Sequence, residues 1–245
     1  MEVHREPFAV HSYEVDAFNV LAVPALAGYL QEVAGNHAAA LGVGMPALMA
    51  RGLTWVLARQ RVEIERPLVL GDVLEISTWP SGVDRLVALR DFEVGRQGGE
   101  VLARAATCWL VLDLRTRRPV RPAKVLDARF HAELPHALPM PSAKLPGLAS
   151  PEAEKRFQIR YQDIDVNLHV TNASYVAWAL ESVPQETWQG GRLASLEAHY
   201  LAECRYGSKI LSRLSREGEG GFLHAIVREE DGKELARLRT AWVRR

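Results

Sequence analysis

The chain has little cysteine, no excess charge of either sign and no long apolar run, and each lack excludes something. Its 245 residues include two cysteines, Cys108 and Cys204, too few for a disulfide framework and without zinc-ligand spacing. Both are expected to be free thiols. Thirty basic residues balance 30 acidic ones, so no global field draws the chain to nucleic acid or to an anionic membrane. No apolar stretch reaches the roughly 18 residues that a spanning helix needs, and the opening MEVHREPFAV lacks a basic-then-apolar order. These absences predict a soluble, cytoplasmic protein with no nucleic-acid partner and no membrane insertion. His4, His11, His131 and His136 have no ligand partners at useful spacing, so neither a metal nor another cofactor is expected.

What is present is a globular composition, 48% hydrophobic and 24% charged, in a length that allows one or two domains. Residues 8–14 read as a strand. Leu21, Leu26, Leu30, Val33, Ala34, His37 and Leu41 then recur at the spacing of a core helix of about five turns. Gly42 and Gly44 stop it, and a short helix is expected over 46–51. Apolar–polar alternation predicts strands over 55–66, 73–79, 86–94 and 101–114, separated by Gly71-Asp72, Gly82 and Gly98-Gly99. Prolines at 119, 122, 135, 139, 141, 146 and 151 then predict an extended linker. The same order of elements returns beyond it: a strand over 157–161, a helix over 172–187, and strands over 193–204, 208–217, 222–228 and 233–244.

Self-comparison supports a duplication. LARAATCW (102–109) and LARLRTAW (235–242) share Leu, Ala, Arg, Thr and Trp in register. At a shift of 149 positions Phe8 falls on Phe157, Asp16 on Asp165 and Glu32 on Glu181, and at a smaller shift Gly71 falls on Gly207. The expected architecture is α+β: two antiparallel sheets side by side, each wrapped around a long central helix. The boundaries read as 1–118, a Pro/Arg-rich linker over 119–152, and 153–245.

The stretch DIDVNLHVTNASY (163–175) carries the chemistry. Asp165, Asn167 and His169 stand two residues apart, so an extended backbone would point all three to one face. Asn172 reads as the N-cap of the following helix. Glu203 and Cys204 are expected to end the strand over 193–204, the first after the helix of the second copy, where a curved sheet approaches the helix N-terminus. Such a cluster could activate water, with a carboxylate as general base and an amide or imidazole as proton carrier or oxyanion donor. Helix N–H groups would add positive potential. Asn167 falls on Phe18, His169 on Val20 and Glu203 on Pro67, so this polar set occurs only once. Groups needed for folding should occur in both copies. A thiolate route through Cys204, with His169 and Asn167, remains open, although strand neighbours face opposite ways. Cys108, inside CWLVL, is expected in the core.

These residues resemble the acyl-acyl carrier protein thioesterases of bacteria and plant plastids. The resemblance rests on LQEVAGNHAAALGVG (30–44), GLTWVLARQRVEIERP (52–67), GDVLEISTWPSG (71–82), RDFEV (90–94), CWLVLDLRTRRPVRP (108–122), DIDVNLHVTNASYVAWALES (163–182) and YLAEC (200–204). It implies a tandem (double) hot-dog fold and hydrolysis of the thioester between a fatty acyl chain and the phosphopantetheine arm of acyl carrier protein. It also implies that Asp165, Asn167, His169 and Glu203 are the catalytic set, with Cys204 beside them. The first copy would supply an apolar tunnel, with Leu30, Val33, Ala34, Leu53, Trp55 and Leu57 as candidate lining. Where the family carries a glycine near Asp16 this chain has Ala17-Phe18, and Phe18 could plug that tunnel. Arg115, Arg117, Arg118, Arg121 and Lys124 form the local basic cluster that could dock an acidic carrier. The alternatives are an acyl-coenzyme A thioesterase using the same site and a non-catalytic acyl-binding module. Two copies in one chain suit a monomer, and a homodimer stays open.

Overall fold

Pro24 opens the first long helix, because a proline in the first turn gives up an N–H that would lack a helical partner anyway. That helix, α1 (Val23–Ala40), buries Leu26, Leu30, Val33, Ala34 and His37 along one stripe. It ends ahead of Gly42, whose φ of 76° is a left-handed conformation that glycine adopts freely. The computed structural model describes residues 3–127, 130 and 134–245. His131 lies outside the described residues.

The chain divides into two units, Met1–Pro141 and Ser142–Arg245. The first contains β1 (His4–Ala9), α1, α2 (Met45–Met49), β2 (Leu53–Ile64), β3 (Val73–Asp84), β4 (Val87–Arg96), β5 (Val101–Asp113) and β6 (Pro119–Val120). Its strands pair antiparallel in the order β1-β3-β4-β5-β2, β6 adds to β5, and α1 lies against β1 and β3. The second contains β7 (Ala153–Gln158), α3 (Asn172–Leu180), α4 (Gln185–Gly190), β8 (Gly191–Tyr200), β9 (Lys209–Arg216), β10 (Gly221–Arg228) and β11 (Glu234–Arg244). Its order is β7-β9-β10-β11-β8, with α3 against β9, β10 and β11. Counted within each unit, both strand orders run first, third, fourth, fifth, second. LARAATCW and LARLRTAW fall on β5 and β11, the fifth strand of each.

Several expectations are corrected. The first strand lies earlier, because residues 10–14 form a turn in which the His11 N–H donates to the Glu14 carboxylate at 2.9 Å. The expected helix over 172–187 breaks after Leu180 and restarts at Gln185, since Pro184 cannot continue it and disfavours helix in the residue before it. Its N-cap is Thr171, whose hydroxyl accepts from the Ser174 N–H at 3.2 Å, and not Asn172. β8 stops at Tyr200: the Leu201 and Ala202 amides both donate to the Leu235 carbonyl, at 2.8 and 3.2 Å, and the chain leaves the ladder there.

The proline-rich stretch is packed rather than free in solvent. Val120 pairs with Val111, and Leu126 and Phe130 join Ala38 and Val43 in a buried cluster. The fully buried Asp91 carboxylate accepts from the Ala137 amide at 2.8 Å and pairs with His136 Nδ1 at 2.9 Å. In the second unit Glu197 accepts from the Ser142 amide at 2.6 Å. Among the described residues no helix is long and apolar enough to cross a membrane.

Candidate active site

The segment carrying Asp165, Asn167 and His169 is a tight turn, not an extended strand. Ile164 and Val170 bridge as antiparallel partners, the Asp165 N–H donates to the His169 carbonyl at 2.9 Å, and Leu168 takes a left-handed φ of 61°. The alternation rule for strand faces therefore does not apply. The Asp165 carboxylate turns inward and accepts from the Asn167 N–H at 2.8 Å, the His169 N–H at 3.3 Å and the Asn167 side-chain amide at 3.2 Å. A short acceptor satisfying nearby amides is what makes such a turn stable.

The first unit contains the same turn, atom for atom. Val15 bridges Leu21, the Asp16 N–H donates to the Val20 carbonyl at 2.8 Å, and Asn19 has a φ of 59°. Asp16 accepts from the Phe18 and Val20 amides at 2.8 and 3.0 Å. One layer further out, Glu14 accepts from the His11 amide at 2.9 Å and Asp163 from the Arg160 amide at 2.7 Å. Asp163 is thus a buried scaffold carboxylate. Only its shared offset with Glu14, 149 positions, could have marked it in the sequence. Asp165 likewise belongs to the scaffold shared by both copies, as its alignment with Asp16 implies. What the second copy alone has is the amide of Asn167, the imidazole of His169 and the carboxylate of Glu203.

Two of those three meet. The Val170 N–H donates to the Cys204 carbonyl at 3.1 Å, holding residues 201–205 against the turn. That places His169 Nε2 3.4 Å from Glu203 Oε2, with the two side chains 22% and 39% exposed. A carboxylate paired with an imidazole and open to water can take a proton from water and hold its charge, and such pairs tighten when substrate binds. Asn167 is exposed next to them, its amide tethered by Asp165. α3 begins three residues beyond His169.

Cys204 faces elsewhere. It is 1% exposed, and its thiol lies against Arg228, whose guanidinium is held by Asp231 at 2.6 and 2.9 Å. No hydrogen bond or ion pair joins it to His169 among the described residues. The copies explain this: the Val170–Cys204 bond matches a 2.7 Å bond from the Leu21 N–H to the Leu68 carbonyl, and Leu68 is also 1% exposed. Cys204 occupies a core-leucine position. Cys108 is equally buried, and burial pushes its thiol up to about 11.

In the first unit Leu30, Val33, Ala34, Leu53 and Leu57 are buried, Trp55 is half-buried, and Phe18 is 37% exposed on its turn. This interior is not uniformly apolar. Arg90, 7% exposed, donates from Nη1 to His37 Nδ1 at 3.0 Å and to Thr78 Oγ1 at 3.1 Å. Arg115, Arg117, Arg118, Arg121 and Lys124 are all exposed at and just after the β5–β6 hairpin. Among the described residues no group of three His, Cys, Asp or Glu side chains is placed to hold a metal ion.

The shared turn gives a direct prediction. Asp165→Ala removes three hydrogen bonds from its turn and Asp16→Ala two from the matching one, so each should cost about 1–2 kcal/mol of stability and lower the melting temperature accordingly. Only Asp165→Ala should also lower a reaction run by the second unit. Parallel melts and turnover measurements check this, and equal turnover losses in the two variants would contradict it.

Fold and site together define an α+β protein of two matching units, in which the turn of the second carries a carboxylate–imidazole pair and the matching turn of the first carries Phe18 and Val20 instead. Known proteins make the class specific. Residues 1–128 match the family model of the acyl-ACP thioesterase N-terminal domain, and 149–244 match that of the C-terminal domain. A chloroplastic acyl-[acyl-carrier-protein] hydrolase of Cuphea viscosissima is 32% identical over 258 residues, covering 98% of this chain and 62% of that one. The chain thus spans under two thirds of that relative's length. An oleoyl-acyl carrier protein thioesterase of Arabidopsis thaliana is 30% identical, with 98% and 75% covered. Among solved structures, an acyl-ACP thioesterase from Bacteroides thetaiotaomicron superposes with a TM-score of 0.88 at 25% identity, covering 98% of each chain. The 12:0-ACP thioesterase of Umbellularia californica gives 0.87 at 27%, covering 99% of this chain and 98% of that one. The chain belongs to the acyl-ACP thioesterase family.

Proposed function

We propose that this chain hydrolyses the thioester of fatty acyl-acyl carrier protein and releases free fatty acid. The observation that carries the reading is the difference between two otherwise matching turns: one presents Phe18 and Val20, the other Asn167 and His169 with Glu203 at 3.4 Å. Glu203 takes a proton from water as the water oxygen attacks the acyl carbonyl. His169 and Asn167 hold that water or the oxyanion that forms, and Asp165 fixes the turn that presents them. Collapse of the tetrahedral intermediate expels the pantetheine thiolate, which takes up the proton and leaves as a thiol.

The tandem hot-dog arrangement belongs to the same proposal, with 1–118 as the acyl-binding, non-catalytic domain, 119–152 as connector and 153–245 as the catalytic domain. Leu30, Val33, Ala34, Leu53, Trp55 and Leu57 are its proposed chain lining and Phe18 its proposed plug. The exposed basic hairpin of Arg115, Arg117, Arg118, Arg121 and Lys124 would steer an acidic carrier by charge, a salt-sensitive effect on rate of encounter. A cytoplasmic monomer needing no cofactor is the simplest form consistent with two copies in one chain and two free, buried cysteines.

Matched acyl-carrier and acyl-coenzyme A substrates test the assignment. A clearly higher kcat/KM on the carrier substrate is expected, and equal values would leave only a general acyl thioesterase. Cys204→Ala is expected to keep turnover within about twofold, because the thiol sits at a packing position and a nucleophile could not be removed at so little cost. Loss of turnover with the fold intact would reinstate the thiol route.

A further inference from the structure

The segments around the His169–Glu203 pair leave several large apolar side chains in water. Tyr161 is 88% exposed, Val166 87%, Leu168 74% and Tyr206 69%. Backbone bonds gather the segments that carry them. The Ile159 N–H donates to the Ser208 carbonyl at 2.9 Å and the Gly207 N–H to the Ile159 carbonyl at 3.3 Å, while Val170 is bonded to Cys204 at 3.1 Å. Tyr161 and Tyr206 lie just beyond the first of these junctions, and Val166 and Leu168 just before the second. Large apolar side chains left in water on neighbouring segments mark a surface that something covers.

Leu168 adds an independent argument. Its φ of 61° is a conformation that favours asparagine or glycine over leucine, and the matching residue of the first copy, at 59°, is Asn19. A leucine there bears backbone strain of about 1 kcal/mol and leaves most of its side chain in solvent. Neither feature helps the fold. Positive charge flanks the patch: Arg205 and Lys209 are exposed with no carboxylate partner among the described residues, whereas Arg160 is engaged by Asp163.

We propose that this rim seats the protein that carries the thioester. Val166, Leu168, Tyr161 and Tyr206 pack against an apolar face of an acidic carrier domain, and Arg205 and Lys209 pair with its carboxylates. The proposal rests on the thioesterase reading, because an arm reaching Glu203 requires its carrier to sit on the surface around that residue. The basic hairpin then adds to the rate of encounter, and the rim supplies the close contact.

Two double variants test the rim: Leu168→Asn with Tyr206→Ser, and Arg205→Glu with Lys209→Glu. Each is assayed on a fatty acyl-carrier protein and on the same acyl group attached to pantetheine. The loss in kcat/KM on the carrier substrate is expected to exceed that on acyl-pantetheine by at least about tenfold, mainly through KM. Leu168→Asn alone should melt no lower than the parent, since asparagine suits the turn. Equal losses on both substrates, or none on either, would overturn the proposal. So would rim variants that lose binding to phosphatidylglycerol vesicles, or lose self-association, while carrier kinetics stay intact. If the parent protein hydrolyses neither substrate, the thioesterase reading fails by itself. Titration of the parent and the rim variants with acyl-carrier protein then decides the rim: weaker binding in the variants supports it, and unchanged binding overturns it.

Discussion

Glu203→Gln is expected to lower thioester hydrolysis by about a thousandfold while leaving the melting temperature unchanged. The substitution keeps the side chain's size and removes its basicity, and general-base assistance contributes about 10²- to 10⁴-fold. Stability should hold because Glu203 is 39% exposed and lies beyond the end of β8, outside the ladder. His169→Val is the matching test. The first copy already carries Val20 at this place in the same turn, so the fold accepts valine there. Turnover is expected to fall about a hundredfold or more. Release of free thiol, followed alongside thermal melts, measures both effects. Full activity in both variants would falsify water activation at this centre.

Acidification from pH 7 to pH 5 is expected to cost about 4 kcal/mol of stability from two buried histidines. His224, wholly buried on β10, pairs through Nε2 with Thr240 Oγ1 at 2.9 Å, and burial lowers it to about 3. His37, 5% exposed on α1, is lowered to about 4 by burial and then by the adjacent Arg90 and His4. Arg90 itself is brought down to about 10 by burial, so it stays charged and makes a second charge beside it unfavourable. Both histidines are neutral when folded, but they titrate near 6.5 in the unfolded chain, which therefore binds more protons below that pH. Their stabilising effect is complete above about pH 6.5. It falls by roughly 1.4 kcal/mol per pH unit per histidine as pH drops towards each folded value. Denaturant melts across pH 5 to 7 measure the slope. His224→Gln should remove about half of it whatever its effect at pH 7, and an unchanged slope would assign the acid sensitivity to other groups.

Much of the scaffold was legible because its signals are local. The stripe from Leu26 to His37 has to be a buried helix, and Gly71 and Gly207, with φ of 85° and 82°, mark the same turn in each copy. The break at Pro184 was equally present in the sequence, as a residue that cannot sit inside a helix. The direction of side chains in irregular segments was not legible. A period of two predicted one face for Asp165, Asn167 and His169, yet Asp165 points into its turn because three N–H donors converge there.

The sequence alone determined the duplication, the helices that organise it, and the confinement of Asn167, His169 and Glu203 to one copy. Each follows from residue type and spacing, which need no knowledge of distant contacts. Tertiary structure decided the rest: that Asp163 and Asp165 serve the scaffold, that Cys204 fills a leucine's place in the core, and that Glu203 meets His169. The last two depend on hydrogen bonds between backbone segments more than 30 residues apart, such as Val170 to Cys204, and the first on bonds inside irregular turns, whose side-chain directions no simple period sets.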